Sequence, residues 1–151
     1  MVIENTKVAE ISVSYRPIVT SKPIVLSAYD AFVLFKPFFD ESTINLQESY
    51  MVMYLNQMNR VLGIYPMSIG GITVTVADIS LIFSVAHTIS STSILLAHNH
   101  PSGNLKTLKD DIVLTNKIKA GGKLLDIKLL DHLILSPVGR KLYSFADEGL
   151  L

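Results

Sequence analysis

The segment "ESYMVMYLN", residues 48–56, is apolar on both faces of the strand that it would form. Alternate residues of a strand point to opposite sides, so two tyrosines and a valine share one side while two methionines and a leucine share the other. A strand that is apolar on both faces is covered on both faces. This segment therefore predicts a central strand with packed layers above and below it.

The remaining segments supply those layers and indicate an α/β domain with a mixed central sheet and helices on its faces. Helical spacing of apolar residues marks the helices, and short apolar or alternating runs mark the strands. The predicted elements are a helix "AYDAFVLF" capped by Ser27 and ending before Pro37, a strand "VLGIYPMSI" that forms a hairpin with the first, a short strand "ITVTV", a helix "ADISLIFSVAHTI", a buried strand "SILLA", a helix "LKDDIVLTNKIKA" capped by Thr107 and stopped by Gly121 and Gly122, and closing strands in "LLDIKLLDHLILS" and "KLYSFA".

The first part of the chain differs from the rest. Residues 9–16, "AEISVSYR", alternate apolar and polar side chains and predict a half-buried edge strand that Pro17 stops. We expect residues 1–27 to form a lead-in segment and residues 28–151 to form the domain. This strand could close the sheet of its own chain, or it could pair with the edge of a second protomer in a homodimer.

Composition restricts the chemistry. The 151-residue chain has no cysteine, so any metal must be held by His, Asp, Glu or backbone oxygen. Thirteen basic residues balance thirteen acidic ones, so the basic excess usual in nucleic-acid binders is missing. No apolar run approaches the roughly 18 residues of a membrane span, and the N-terminus has no signal-peptide pattern. We expect a cytoplasmic protein that does not bind membranes.

The stretch "HNHPSGNLKTLKDD", residues 98–111, combines two histidines with two acids. His98 and His100 follow a buried strand, where α/β proteins place ligand sites, and residues two apart in an extended segment point the same way. Asp111 shares a helix face with core positions, whereas Asp110 suits a capping box. An inward carboxylate needs a partner. Two histidines and an aspartate, with the fourth position left open for water, form an arrangement typical of a catalytic zinc site.

A zinc-bound water would need a general base, and the candidate is Glu48, at the mouth of the central strand. Simpler interpretations stand beside these. A histidine pair of this kind is often a surface feature, and Glu48 could be a solvated strand end. His132 is interpreted as a satisfied strand histidine, and Asp131 is left open between a contact near the site and a structural role.

The histidine motif and its surroundings resemble the RadC-like branch of the JAB/MPN metalloprotease superfamily, over about residues 28–149. The superfamily pattern is an upstream glutamate followed by H-x-H-x(7)-S-x-x-D. Glu48 matches its glutamate, His98 and His100 match its two histidines, and Asp111 matches its aspartate. The resemblance implies a JAB/MPN-like fold, related in outline to the cytidine deaminases. It also implies Zn²⁺ as cofactor, and water activated by Glu48 for attack on a peptide or isopeptide bond. The family carries a DNA-repair label.

One position departs from the family pattern. Leu108 stands where the superfamily has a serine that stabilises the oxyanion, and loss of such a donor costs about 10²–10³ in rate. Ser102 and Thr107 are possible substitutes. The leading hypothesis is a zinc-dependent hydrolase of a protein or peptide substrate. The alternative is a weakly catalytic or non-catalytic binding module linked to DNA repair or mobile elements, with nucleic acid as a partner by family association only.

Overall fold

The structure is a computed structural model that describes residues 9–18, 20–70, 77–139 and 141–151. Its five strands form one sheet in the order β2-β1-β3-β4-β5. Strands β3 and β4 are parallel, and the other neighbours are antiparallel. The elements are α1 (Ala28–Phe35), a 3-10 turn (Lys36–Phe38), β1 (Ser49–Leu55), β2 (Val61–Ile69), α2 (Ile79–Thr88), β3 (Ser93–Asn99), α3 (Lys109–Leu124), β4 (Lys128–Leu135) and β5 (Leu142–Ser144).

The sheet is mixed and has a core on each face, as the sequence predicted. On the side that we call the α1 face, Met51, Met53 and Leu55 of β1 pack with the buried side chains of α1. On the opposite side, the α2/α3 face, Tyr50 and Val52 pack with buried residues of α2 and α3. Each large apolar side chain that is fully buried contributes about 1.5–3 kcal/mol. The two-sided apolar pattern of β1 is therefore explained by its central place in the sheet.

Helix α1 begins and ends where its local sequence predicts. The Ser27 hydroxyl accepts from the Asp30 N–H at 3.1 Å, and the Asp30 carboxylate accepts from the Leu26 N–H at 3.0 Å. This reciprocal arrangement satisfies donors that the first helical turn leaves open. The helix ends at Phe35, and Pro37 lies in the 3-10 turn that follows.

The predicted edge strand at residues 9–16 is wrong. Residues 9–16 form no strand, and Ile11 and Val13 are 88% and 65% exposed. An alternating pattern produces a strand only where a neighbouring strand accepts its hydrogen bonds. The link to the sheet here is instead a side chain: the Tyr15 hydroxyl donates to the Leu62 carbonyl of β2 at 2.5 Å. Pairing of this segment with a second protomer stays a prediction, as does the domain boundary at residue 28. The "ITVTV" strand lies outside the described residues.

The start of helix α3 differs from the prediction. Leu108, not Thr107, is the N-cap residue, and its N–H donates to the Asp111 carboxylate at 2.9 Å. Asp110 is exposed, so the acid that closes the first turn is the inward one. Asp111 thereby acts as a cap and also points toward the core.

The end of helix α3 also differs, because the helix passes through Gly121 and Gly122 and ends at Leu124. Gly122 is buried, and a Cβ there would collide with the carbonyl oxygen of Ile127. The Ile127 N–H donates to the Gly122 carbonyl at 2.8 Å. This glycine is needed for close approach of the chain that leads into β4, and it does not stop the helix.

Candidate metal centre

Three potential ligands meet at the C-terminal end of β3. His98 and His100 are buried, and the Asp111 side chain retains 15% of its exposure. The two Nε2 atoms lie 3.0 Å apart. The His98 Nε2 is 3.4 Å from one carboxylate oxygen of Asp111, and the His100 Nε2 is 3.4 Å from the other. These three residues form a group whose geometry is compatible with a metal ion.

These separations fit a tetrahedral ion. Two ligand atoms that each lie about 2.0–2.1 Å from a tetrahedral zinc are about 3.3–3.4 Å apart. The Nε2–Nε2 distance of 3.0 Å and the two Nε2–oxygen distances of 3.4 Å, each to a different oxygen of Asp111, are individually close to that edge length. One ligand atom from each of the three residues lies within 4.8 Å of the other two, so His98, His100 and Asp111 together could hold a metal ion.

The proton positions of His100 follow from its other nitrogen. Its Nδ1 lies 2.6 Å from the backbone carbonyl of Asn104. A carbonyl oxygen only accepts, so Nδ1 carries a proton and donates it. In the neutral ring, Nε2 is therefore the nitrogen with the free lone pair, and it faces His98 and Asp111.

A chain of hydrogen bonds assigns the same tautomer to His98. The Thr115 hydroxyl donates to the Asp111 carbonyl and lies 2.6 Å from Nδ1 of His132, so that Nδ1 must donate to the hydroxyl. Burial lowers the pKa of His132 and keeps the ring neutral, so its Nε2 is an acceptor. The His98 Nδ1, 2.7 Å away, donates to it. The His98 Nε2 is left with its lone pair toward the cluster.

Two lone pairs and a carboxylate thus converge on one point. Burial acts to lower the pKa of His100, but hydrogen bonds to Asp111 and Asn104 and the charges of Asp111 and Glu48 raise it overall. Burial acts to raise the pKa of Asp111, but its contacts with His100 and His98 outweigh burial and hold it well below its ordinary value. The cluster favours a positive charge at its centre, which a proton or a metal ion supplies.

Glu48 lies beside this cluster, immediately before β1. Tyr50, two residues later, pairs with His98 in the sheet. The Glu48 charge contributes to the raised pKa of both His100 and Tyr50. Its carbonyl accepts from the Gly70 N–H at 2.7 Å, and the residue is half-buried. The antiparallel pairing therefore places the predicted base, at the N-terminal end of β1, beside the C-terminal end of β3, which carries the candidate metal ligands.

Tyr50 contributes a buried aromatic wall. Its ring stacks on the His98 ring with centroids 5.7 Å apart and planes 7° from parallel. Burial, and then the charges of Asp111 and Glu48, raise the pKa of its hydroxyl, which stays protonated. That hydroxyl has no hydrogen-bond partner among the described residues.

The predicted substitutes for the missing serine lie in the loop before α3. Leu108 is 57% exposed and offers no hydroxyl. The Ser102 hydroxyl is exposed and accepts from the Asn104 N–H at 3.3 Å. It therefore stabilises the turn that contains Asn104, whose carbonyl accepts from His100. Thr107 is half-buried and does not cap the helix. An oxyanion role for Ser102 or Thr107 stays a prediction.

The sequence did not identify His132 and Thr115 as parts of this site. His132 is fully buried and hydrogen-bonded, as predicted for a satisfied strand histidine, but its partner is a candidate metal ligand. Asp131 points to the other face, where it accepts from the Ser144 hydroxyl and from two backbone N–H groups. Alternation along β4 was the available signal, but only the pairing of β4 with β3 shows which face meets His98.

Comparison with known proteins agrees with this architecture. The family model for the RadC-like JAB domain matches residues 25–150. A UPF0758 protein of Flavobacterium johnsoniae is 40% identical over 126 residues, which cover 83% of this chain and 53% of that protein. A UPF0758 protein of Methanosarcina acetivorans is 35% identical over 127 residues, 84% of this chain and 53% of its own. UPF0758 protein YfjY of Escherichia coli is 35% identical over 105 residues, 70% of this chain and 64% of its own.

The chain belongs to the RadC-like JAB domain family. It spans about half the length of the first curated relatives that it matches. Across residues 9–18, 20–70, 77–139 and 141–151, no helix has both the length and the apolar character that a membrane crossing requires.

Proposed function

We propose that this domain is a zinc-dependent hydrolase that cleaves an amide bond of a peptide or isopeptide. The observation that carries the proposal is the convergence of two histidine lone pairs and a carboxylate, with Glu48 at the adjacent strand end. His98, His100 and Asp111 would hold the ion. Bound zinc would polarise the substrate carbonyl and bring the pKa of a water molecule to near 7.

The residues of this chain have separate tasks in the proposal. Glu48 takes a proton from the attacking water and transfers it to the leaving amine. His132 and Thr115 hold His98 in the tautomer that offers Nε2 to a metal. The Asn104 carbonyl does the same for His100. The substrate is proposed to be a protein or peptide, and the compartment is proposed to be the cytoplasm.

The test is amide hydrolysis by the zinc-loaded protein with a panel of fluorogenic peptides and lysine-linked isopeptides. Glu48→Gln should keep its zinc and lose about 10²–10⁴ in kcat, because removing a general base removes that much catalysis. His98→Ala/His100→Ala should lose both zinc and activity. Turnover by Glu48→Gln equal to that of the unaltered chain would exclude the proposed role of Glu48.

Leu108 supports a second candidate, a binding module of low activity that serves DNA-repair or mobile-element proteins. The N-cap residue of α3 is a leucine, which has no hydroxyl, so an oxyanion beside it would lack the hydroxyl donor that a serine supplies. Leu108→Ser separates the two candidates. A gain approaching 10²–10³ in kcat would indicate an otherwise complete catalytic site that lacks one donor. No turnover by either protein, with zinc bound, would favour the binding module.

A further inference from the structure

Asn99, the residue between the two histidines, has a side chain that is fully buried and makes three hydrogen bonds. Its Nδ2 donates to the Ile44 carbonyl at 2.8 Å and to the Gln47 carbonyl at 3.0 Å. Its Oδ1 accepts from the Ser49 N–H at 2.7 Å. The reverse amide orientation would face its oxygen toward two carbonyls and its NH₂ toward an N–H, so the partners determine the orientation.

Two of these partners flank Glu48. The amide of Asn99 contacts the carbonyl of the residue before Glu48 and the N–H of the residue after it. The regular pairing of β1 with β3 begins at Tyr50 opposite His98. Beyond that pair, the Asn99 side chain connects the two segments. The Asn99 carboxamide therefore connects the ligand strand to the backbone on both sides of Glu48.

From these contacts we infer that Asn99 is a positioning residue, which fixes the backbone of Glu48 relative to the ligands on either side of itself. The inference rests on the proposed role of Glu48. An amide is suited to the position because it supplies two donors and an acceptor from one short side chain. An aspartate would supply acceptors but no donor, and a leucine of similar size would supply neither donors nor an acceptor.

The Gly70 amide reports on this role without any enzyme assay. Gly70 donates to the Glu48 carbonyl and does not contact Asn99 by hydrogen bond. In Asn99→Ala, loss of the three bonds should free the Glu48 backbone and speed hydrogen exchange of the Gly70 amide by about tenfold or more. Zinc content should stay at the level of the unaltered chain, because all three candidate ligands remain.

Ser91→Ala is the matched control. Ser91 is also buried, and its hydroxyl contacts the backbone carbonyls of Leu55 and Ser93 at the opposite end of the same two strands. Its removal deletes comparable side-chain-to-backbone bonds far from Glu48. Exchange of the Gly70 amide in Ser91→Ala should stay within about twofold of the unaltered chain.

The kinetic expectation is a fall of about 10²-fold in kcat for Asn99→Ala with KM little changed, because a displaced base affects the chemical step. Unchanged Gly70 exchange in a folded Asn99→Ala, or zinc lost together with kcat, would overturn the inference. If the alanine variant does not fold, Asn99→Ser replaces it in the same measurements. Rapid hydrogen exchange of the Ser49 amide in the unaltered chain would also overturn the inference, because that amide donates to Asn99. Absence of all hydrolysis would contradict the proposed function, while Gly70 exchange would still decide the role of Asn99.

Discussion

Asp131 and His132 are neighbours in β4, yet they belong to two buried polar clusters of opposite character. On the α1 face, the Asp131 carboxylate receives three hydrogen bonds, from the His132 N–H, the Ala146 N–H and the Ser144 hydroxyl. On the α2/α3 face, His132 supports a centre in which His98, His100 and Asp111 all present acceptors.

The difference lies in the count of donors. Around Asp131 the donors match the carboxylate, and the cluster is complete within the protein. At the candidate metal centre, the donors of both histidines point outward to Asn104 and His132, and the acceptors point inward. Buried polar groups need partners. A buried cluster with surplus acceptors is therefore suited to bind a cation, whereas a balanced cluster is suited to a structural role.

The largest expected effect comes from removing the ligands. Zinc at 100 times its dissociation constant should stabilise the unaltered chain by about 2.7 kcal/mol, which corresponds to a rise of about 5–10 °C in Tm for a chain of this size. His98→Ala/His100→Ala should show neither bound zinc by elemental analysis nor the rise in Tm. Asp131→Asn is the control and should retain both. Equal zinc in the double variant would break the comparison.

A smaller effect is expected from the residues that orient His98. His132→Phe removes the acceptor for Nδ1, and loss of such a partner should weaken zinc binding by about 10–100-fold. Thr115→Val removes one hydrogen bond to His132 and should weaken it by about two- to tenfold. Competition with a chromophoric chelator measures both. If neither variant differs from Ser91→Ala, the hydrogen-bond chain does not support the site.

Changes at Asp131 should affect stability and leave zinc affinity unaltered. Asp131→Ala leaves the N–H groups of His132 and Ala146 unpaired, which should lower the free energy of unfolding by about 1–3 kcal/mol. Asp131→Asn keeps one acceptor and can donate to the Ser144 hydroxyl, so its loss should be smaller. Urea unfolding measures the free energies. A loss of zinc affinity in either variant would contradict the separation, because it would show that the Asp131 cluster and the candidate metal centre are energetically coupled.

The smallest effect is a pH dependence at Asp131. Burial raises the pKa of this carboxyl, although its three hydrogen bonds oppose the rise. Because the folded-state pKa exceeds the unfolded one, this group's contribution is complete below the unfolded value and is lost as pH rises through the folded value. Asp131→Asn lacks this titration. Its stability relative to the unaltered chain should improve as pH rises through that interval, and parallel pH profiles would contradict the assignment.

Local patterns predicted the elements whose boundaries depend on local contacts. Helix α1 runs from the Ser27 cap to the residue before the proline turn, and β1 is buried on both faces. Predictions were wrong where distant partners decided. Residues 9–16 form no strand, and Gly122 continues α3 because it packs against the Ile127 carbonyl. A glycine has the same signal in sequence whether it ends a helix or allows a close approach.

By itself, the sequence determined the chemistry that is available: no cysteine, two histidines one residue apart after a buried strand, and an acid on the inward face of the next helix. Only the tertiary structure decided how these groups are oriented. His132 reaches His98 because β4 lies parallel to β3, and Asn99 reaches the segment around Glu48 because β1 lies on the other side. Those contacts join residues 34 and about 50 positions apart. They depend on the order of strands in the sheet, which no local pattern encodes.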